Sequence, residues 1–254
     1  MTTLIERRLS PEEEELAKKR QELAELQVQL ADRELSFASR RAELAAFEGK
    51  YLRRVGVLYA ELDEYNAKIA ELMAKEVGTE EHRATATQAR AQAAESYAAS
   101  HGEAAEAKDL PIPAELKSLY RDVAKRVHPD LSVDEADRKQ REHLMTEANR
   151  VYQNADADSL RRILQEYADS PDSVRGTGVA ADLVRVLRQL KQVRNRLAQI
   201  EEEMALLEGS AVAILKTQAD DASRQGRDLL AEMATKIQGQ INSAREHYKA
   251  VSRA

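Results

Sequence analysis

The chain has 254 residues, 33% of them charged and only 4% aromatic, with nine glycines, five prolines and no cysteine. So few large apolar side chains cannot fill one thick core, and the composition matches long helices rich in Ala, Glu, Leu, Arg and Gln. Without cysteine there are no disulfides, thiolate metal sites or thiol nucleophiles, and a net charge of −6 favours neither nucleic acid nor an anionic membrane.

The first residues carry no apolar core of signal-peptide length and no later apolar run could span a bilayer, so the expectation is a soluble, cytoplasmic, all-α protein. Ser10, Pro11 and Glu13 form a capping box that opens a long helix. From there Leu16, Leu23, Leu30, Phe37, Leu44, Tyr51, Leu58, Tyr65 and Leu72 recur at every seventh position. Val55, Leu62 and Ile69 fill the intervening positions of the second half, which gives the alternating 4-3 spacing of a coiled-coil seam. Ala17, Ala24, Ala31, Ala38 and Ala45 follow each heptad residue of the first half, so a partner helix can approach closely there. The spacing predicts a helix to about Val77, stopped at Gly78, roughly 100 Å long at the α-helical rise.

Thr79, Glu80 and Glu81 restart an Ala-rich helix to about Ser100, either a thin return helix or a semi-rigid spacer, because Ala favours helix but buries little. These two segments form an N-terminal region over 10–108. Gly102 to Pro113 reads as a linker into a central region over 109–170.

Pro113 suits a first helical position, and Glu115 favours the positive helix start. Leu116, Leu119, Tyr120, Val123 and Val127 make one buried stripe, whereas Lys117, Arg121, Lys125 and Arg126 fall largely off it as a basic face. Pro129 disfavours helix at His128, so the helix stops at His128-Pro129-Asp130. Ser132 and Glu135 form a second capping box before a helix that buries Leu144, Met145, Ala148, Val151 and Tyr152. Residues 156–159 read as a polar turn, followed by a short helix with Leu160, Ile163, Leu164 and Tyr167 inward.

Residues 171–178 form a second linker, and 179–254 a C-terminal coiled-coil region. Leu183, Val186, Leu190, Val193, Leu197, Ile200, Met204 and Leu207 alternate at 3-4 spacing, and Glu208-Gly209-Ser210 ends that helix. A final helix from about Ala211 carries Leu230, Ala234, Ile237, Ile241, Ala244, Tyr248 and Val251, with a register slip between Leu215 and Leu229. A helical hairpin turning near Gly209 is expected, with one continuous stuttered helix as the alternative. The N-terminal seam can pair with these helices or with a second protomer; a rod is expected, with a homodimer favoured.

The stretch Pro113–Asp130 closely resembles helix II and the His-Pro-Asp loop of J-domains, the DnaJ-type co-chaperone module, and the resemblance extends from Ile112 to about Ala168. It implies a small central J-domain-like helical unit flanked by coiled-coil helices. By position it makes His128, Pro129 and Asp130 the loop that engages a DnaK-type chaperone ATPase, and Lys117, Arg121, Lys125 and Arg126 the docking face. The family's Tyr-x-x-Leu-Gly first helix does not precede Pro113, so that helix is missing, remodelled or replaced by residues 104–110 or a coiled-coil segment. Met145 and Ala148 stand where the family has Phe and Ile, and Asp122 stands where it commonly has Lys or Arg.

The sequence carries no nucleophile motif, no glycine-rich phosphate loop and no metal-ligand spacing, so neither catalysis nor a cofactor is expected. Two functions follow. The first is a co-chaperone that stimulates a DnaK-type ATPase, with coiled coils for client binding, targeting or oligomerisation. The second is a coiled-coil scaffold whose J-like region does not stimulate.

Overall fold

The computed structural model describes residues 10–102, 112–132, 135–168 and 178–253, except the side chains of Ala136 and residues 166–168. Among them there is no strand, and the protein is all-α. The capping box at Ser10 forms in both directions. The Glu13 N–H donates to Ser10 Oγ at 3.2 Å, and the Ser10 N–H donates to Glu13 Oε2 at 2.8 Å. Helix α1 (Pro11–Tyr51) continues through a π-helical turn (Leu52–Gly56) into α2 (Val57–Val77). Gly78 ends α2 at φ 70°, the left-handed conformation that glycine adopts without a Cβ penalty.

The heptad seam is filled from within the chain, by different helices for its two halves. Two compact units result, Met1–Arg41 with Pro111–Leu207, and Ala42–Leu110 with Glu208–Ala254. Each is therefore assembled from two stretches far apart in the sequence, whereas the motif boundaries read as the consecutive regions 10–108, 109–170 and 179–254. Periodicity identifies an apolar face but not which distant segment covers it.

In the first unit Leu16, Leu23 and Leu30 of α1 pack against Val186, Leu190, Val193 and Ile200 of α7 (Val179–Glu208). Each such side chain contributes about 1.5–3 kcal/mol on burial, which makes this seam the main adhesive between the two helices. Exposed pairs at its rim, such as Arg20 with Asp182 at 2.9 Å, add little.

The other face of α1 completes a second core. Ala31, Leu35 and Ala38 pack against α4 (Ala114–Val127), α5 (Glu135–Gln153) and α6 (Ala157–Ala168). The small side chains at 31 and 38 permit this approach, whereas Ala17, Ala24 and Ala45 of the same stripe stay exposed. Helices α4 and α5 run antiparallel. Tyr120 bonds to Asn149 and the Arg126 carbonyl to Arg141, so the paired positions converge on the turn between them.

The predicted buried faces are in place, with Leu116, Tyr120, Val123, Val127, Leu144, Met145, Ala148, Val151, Tyr152, Leu160 and Ile163 buried, and Leu119 and Leu164 half-buried. The Tyr167 side chain, the linker 171–177 and residues 133 and 134 of the second capping box lie outside what the structure describes. Pro113 takes the N-cap position rather than the first helical one. The polar turn before α6 is shorter than expected, because Asp156 caps the helix by accepting from the Ser159 N–H at 3.1 Å.

In the second unit α3 (Glu80–His101) is a return helix against α2, not a spacer, and it begins at the Thr79 N-cap. Ala86, Ala93 and Ser100 are buried on α3, as are Ala60 and Ala67 on α2. Gly56 lets the backbones close further, for a Cβ there would meet Ser100 Cβ at 3.6 Å and Leu52 Cδ2 at 3.1 Å. Arg90 spans the rim to Glu64 at 2.7 Å and Glu71 at 2.8 Å. The C-terminal part contains two helices where one was expected, α8 (Ala211–Arg224) and α9 (Leu229–Val251). The register slip is a real break at Gly226, φ 76°, after which Asp228 caps α9 by accepting from the Ala231 N–H at 3.0 Å. Leu230, Ile237 and Ile241 of α9 cluster with Phe47 and Val55, so α9 packs on the N-terminal segment.

Among the described residues no helix is long and apolar enough to cross a membrane, and no group of three His, Asp or Glu could hold a metal ion.

Candidate functional site

The predicted stop in helix α4 is sharp. His128 leaves helical geometry at ψ 132°, and Pro129–Leu131 form one 3-10 turn. The Leu131 N–H donates to the His128 carbonyl at 3.0 Å, and the Ser132 N–H to the Pro129 carbonyl at 3.1 Å. Arg141, buried on α5, ties this corner down. Its Nη1 donates to the Arg126 carbonyl at 2.9 Å, which satisfies an open carbonyl at the end of α4, while its Nε reaches Asp137 at 2.8 Å.

His128 is the best-defined group of the turn. Its Nδ1 accepts from the Asp130 N–H at 3.2 Å, which puts the proton of the neutral ring on Nε2. Nε2 lies 3.1 Å from Glu34 Oε1 on α1 and donates to it. The same carboxylate oxygen accepts from Arg196 Nε on α7 at 2.8 Å, and Arg196 Nη1 continues to Glu203 at 2.8 Å. His128 is 2% exposed and Glu34 4%, so this is an enclosed network, not a surface pair. Burial pushes the Glu34 carboxyl up, but hydrogen bonds from His128 and Arg196 outweigh it and hold it below the usual carboxylate range. Burial likewise opposes the charge on Arg196, and Glu34 with Glu203 more than restores it.

Leu131, the last residue of the turn, packs into the α1–α7 seam. The turn is thus pinned by two unlike contacts, an ion network at His128 and an apolar anchor at Leu131.

Asp130 is held less well. Its Oδ2 is buried and makes no hydrogen bond, and His128 Nδ1 lies 3.7 Å away. Burial pushes the carboxyl up against the pull of His128, Arg196 and Arg138. A group whose folded value exceeds its unfolded one costs stability as pH rises above the unfolded value and it ionises. Asp130→Asn is therefore expected to stabilise the protein at neutral pH by about 1 kcal/mol, a rise of roughly 2–4 °C in Tm for a domain of 150–250 residues. Thermal melts at pH 7 and pH 4 check this, and the gain should shrink at the lower pH.

The predicted basic face divides. Lys117 and Arg126 are exposed and Lys125 is half-buried. Arg121 instead pairs with Asp32 of α1 at 2.6 Å. The seven predicted residues therefore share one helix and its terminal turn, with His128 turned inward and Arg121 bound to α1.

Three participants escaped the sequence reading, namely Glu34, Arg196 and Arg141. Glu34 left no distinguishing trace, for Arg20, Gln27, Arg41 and Glu48 occupy the same intervening position elsewhere in the first half of the helix. Arg196 and Arg141 lie among many surface arginines and likewise carry no signal. Comparison with protein-family models, curated proteins and solved structures found no match to this chain.

Proposed function

We propose that this chain is a J-type co-chaperone that recruits a DnaK-type chaperone ATPase in the cytoplasm and stimulates its ATP hydrolysis. The reading rests on the resemblance of Pro113–Asp130 to the J-domain motif. The observation that carries it furthest is the unsatisfied Asp130 Oδ2: among the described residues it is the buried side-chain oxygen or nitrogen left without a hydrogen bond. Buried acceptors without donors are costly and rare, and they collect where a loop serves binding at the expense of stability. A partner arginine would supply the missing donors in bidentate form. The exposed Lys117 and Arg126 would steer an acidic partner surface toward the turn. The α1 segment around Leu35 would take the place of the missing first J helix. The long helices would select a client, a location or a second protomer. No catalytic group of its own is part of this reading; the activity is binding.

Steady-state ATP hydrolysis by a DnaK-type ATPase tests it, with wild type and His128→Gln. The expected result is stimulation that His128→Gln reduces at least tenfold, and equal stimulation by both would overturn the proposal. The burial of His128 favours a second reading, a scaffold in which the turn is a structural joint between α1, α4 and α7. That reading predicts a loss of thermal stability in His128→Gln with no effect on any ATPase.

A further inference from the structure

We infer that helix α7 is a displaceable strap that closes the His128-Pro129-Asp130 turn, so that the turn engages its partner only when α7 lifts from α1. This rests on the co-chaperone reading and adds regulation to it. The two cores of the first unit share α1 but not α7. Ala31, Leu35 and Ala38 of α1 belong to the core of α4, α5 and α6, whereas α7 packs on the other side through Val186, Leu190, Val193 and Ile200. Lifting α7 would therefore leave the α1–α4–α5–α6 core in place.

The turn depends on α7 through two contacts. Arg196 holds the Glu34 carboxylate that receives the His128 proton, and Leu131 sits in the α1–α7 seam. With α7 in place His128 is closed off and Asp130 Oδ2 is buried. Removing Arg196 and one wall of the seam would open both groups to a donor from outside while His128 keeps its bond to Glu34. The ion network also makes the closed state specific rather than sticky. A buried ion pair adds little net stability compared with an apolar contact, but it fixes which groups meet.

Val193→Asp, alone and combined with His128→Gln, tests the strap in the full chain. Val193 is fully buried in the seam and absent from the α4–α6 core, so a carboxylate there should release α7 selectively. Hydrogen exchange should show faster exchange across α7 with α4, α5 and α6 still protected. ATPase stimulation should rise at least tenfold over wild type and vanish in the double variant. Equal stimulation by wild type and Val193→Asp, both abolished by His128→Gln, would overturn the strap and leave the co-chaperone reading standing. A released α7 with protected α4–α6 and no stimulation by either protein would overturn the co-chaperone reading and the strap with it. Loss of protection in α4–α6 together with α7 would also overturn the strap, because α7 would then be an inseparable part of the core.

Discussion

Replacing Glu34 with alanine is expected to destabilise the first unit by about 3–5 kcal/mol, the cost typical of breaking a buried ion pair from one side. The carboxylate is the common acceptor for His128 Nε2 and Arg196 Nε, and its side chain is 5% exposed. Its loss leaves the imidazole N–H unpaired in an enclosed site and Arg196 with Glu203 alone, while the removed methylenes leave a cavity. Chemical denaturation of wild type and variant measures the difference, and a change below about 1 kcal/mol, typical of exposed pairs, would show that the network is a surface feature.

The same residue sets a pH response. Glu34 titrates below its ordinary 4.5 when folded, so its contribution is complete above that value and is lost as pH falls through the lower folded value. Asp130 acts with the opposite sign, since its folded value lies above 3.8. Acid unfolding should therefore be shallower in Glu34→Ala than in wild type.

Tyr120→Ala is expected to cost about as much, 3–5 kcal/mol for a fully buried aromatic. Its ring is 4.7 Å from that of Tyr152, and its hydroxyl donates to Asn149 Oδ1 at 2.5 Å. Burial holds the phenol far above its usual range, so it stays a neutral donor. The companion Tyr152 hydroxyl reaches Ser39 of α1 at 2.7 Å, so the loss of this ring pair loosens α4, α5 and α1 together. Tyr120→Phe separates the parts. It keeps the packing and removes one hydrogen bond, and should cost about 1–2 kcal/mol because Asn149 loses its donor. A Tyr120→Ala variant as stable as Tyr120→Phe would mean that the ring is not part of the core.

Much of the fold was legible because its determinants are local. The Ser10 capping box, the Gly78 stop, the Pro129 break and the buried faces of α4 and α5 each depend on residues within a turn or two of one another. The break at Gly226 was visible as a diluted seam but read as a slip, because a few polar residues do not tell a stutter from a chain turn. The start of α6 was misplaced for a related reason, since Asp156 and Ser159 serve equally in a turn and in a cap.

What the sequence determined by itself is most of the helices, the apolar faces of α4 and α5 and the turn that carries His128, Pro129 and Asp130. Tertiary structure alone decided which faces meet. It put Ala31 and Ala38, but not Ala17 or Ala24, against a core, and it split the heptad seam between α7 and α9. It also turned Glu34 from one carboxylate among many into the group that holds His128. The reason is physical: helical periodicity is set by neighbours three and four residues away, whereas the burial of a polar group depends on partners far along the chain, here 94 positions from Glu34 to His128 and 162 from Glu34 to Arg196.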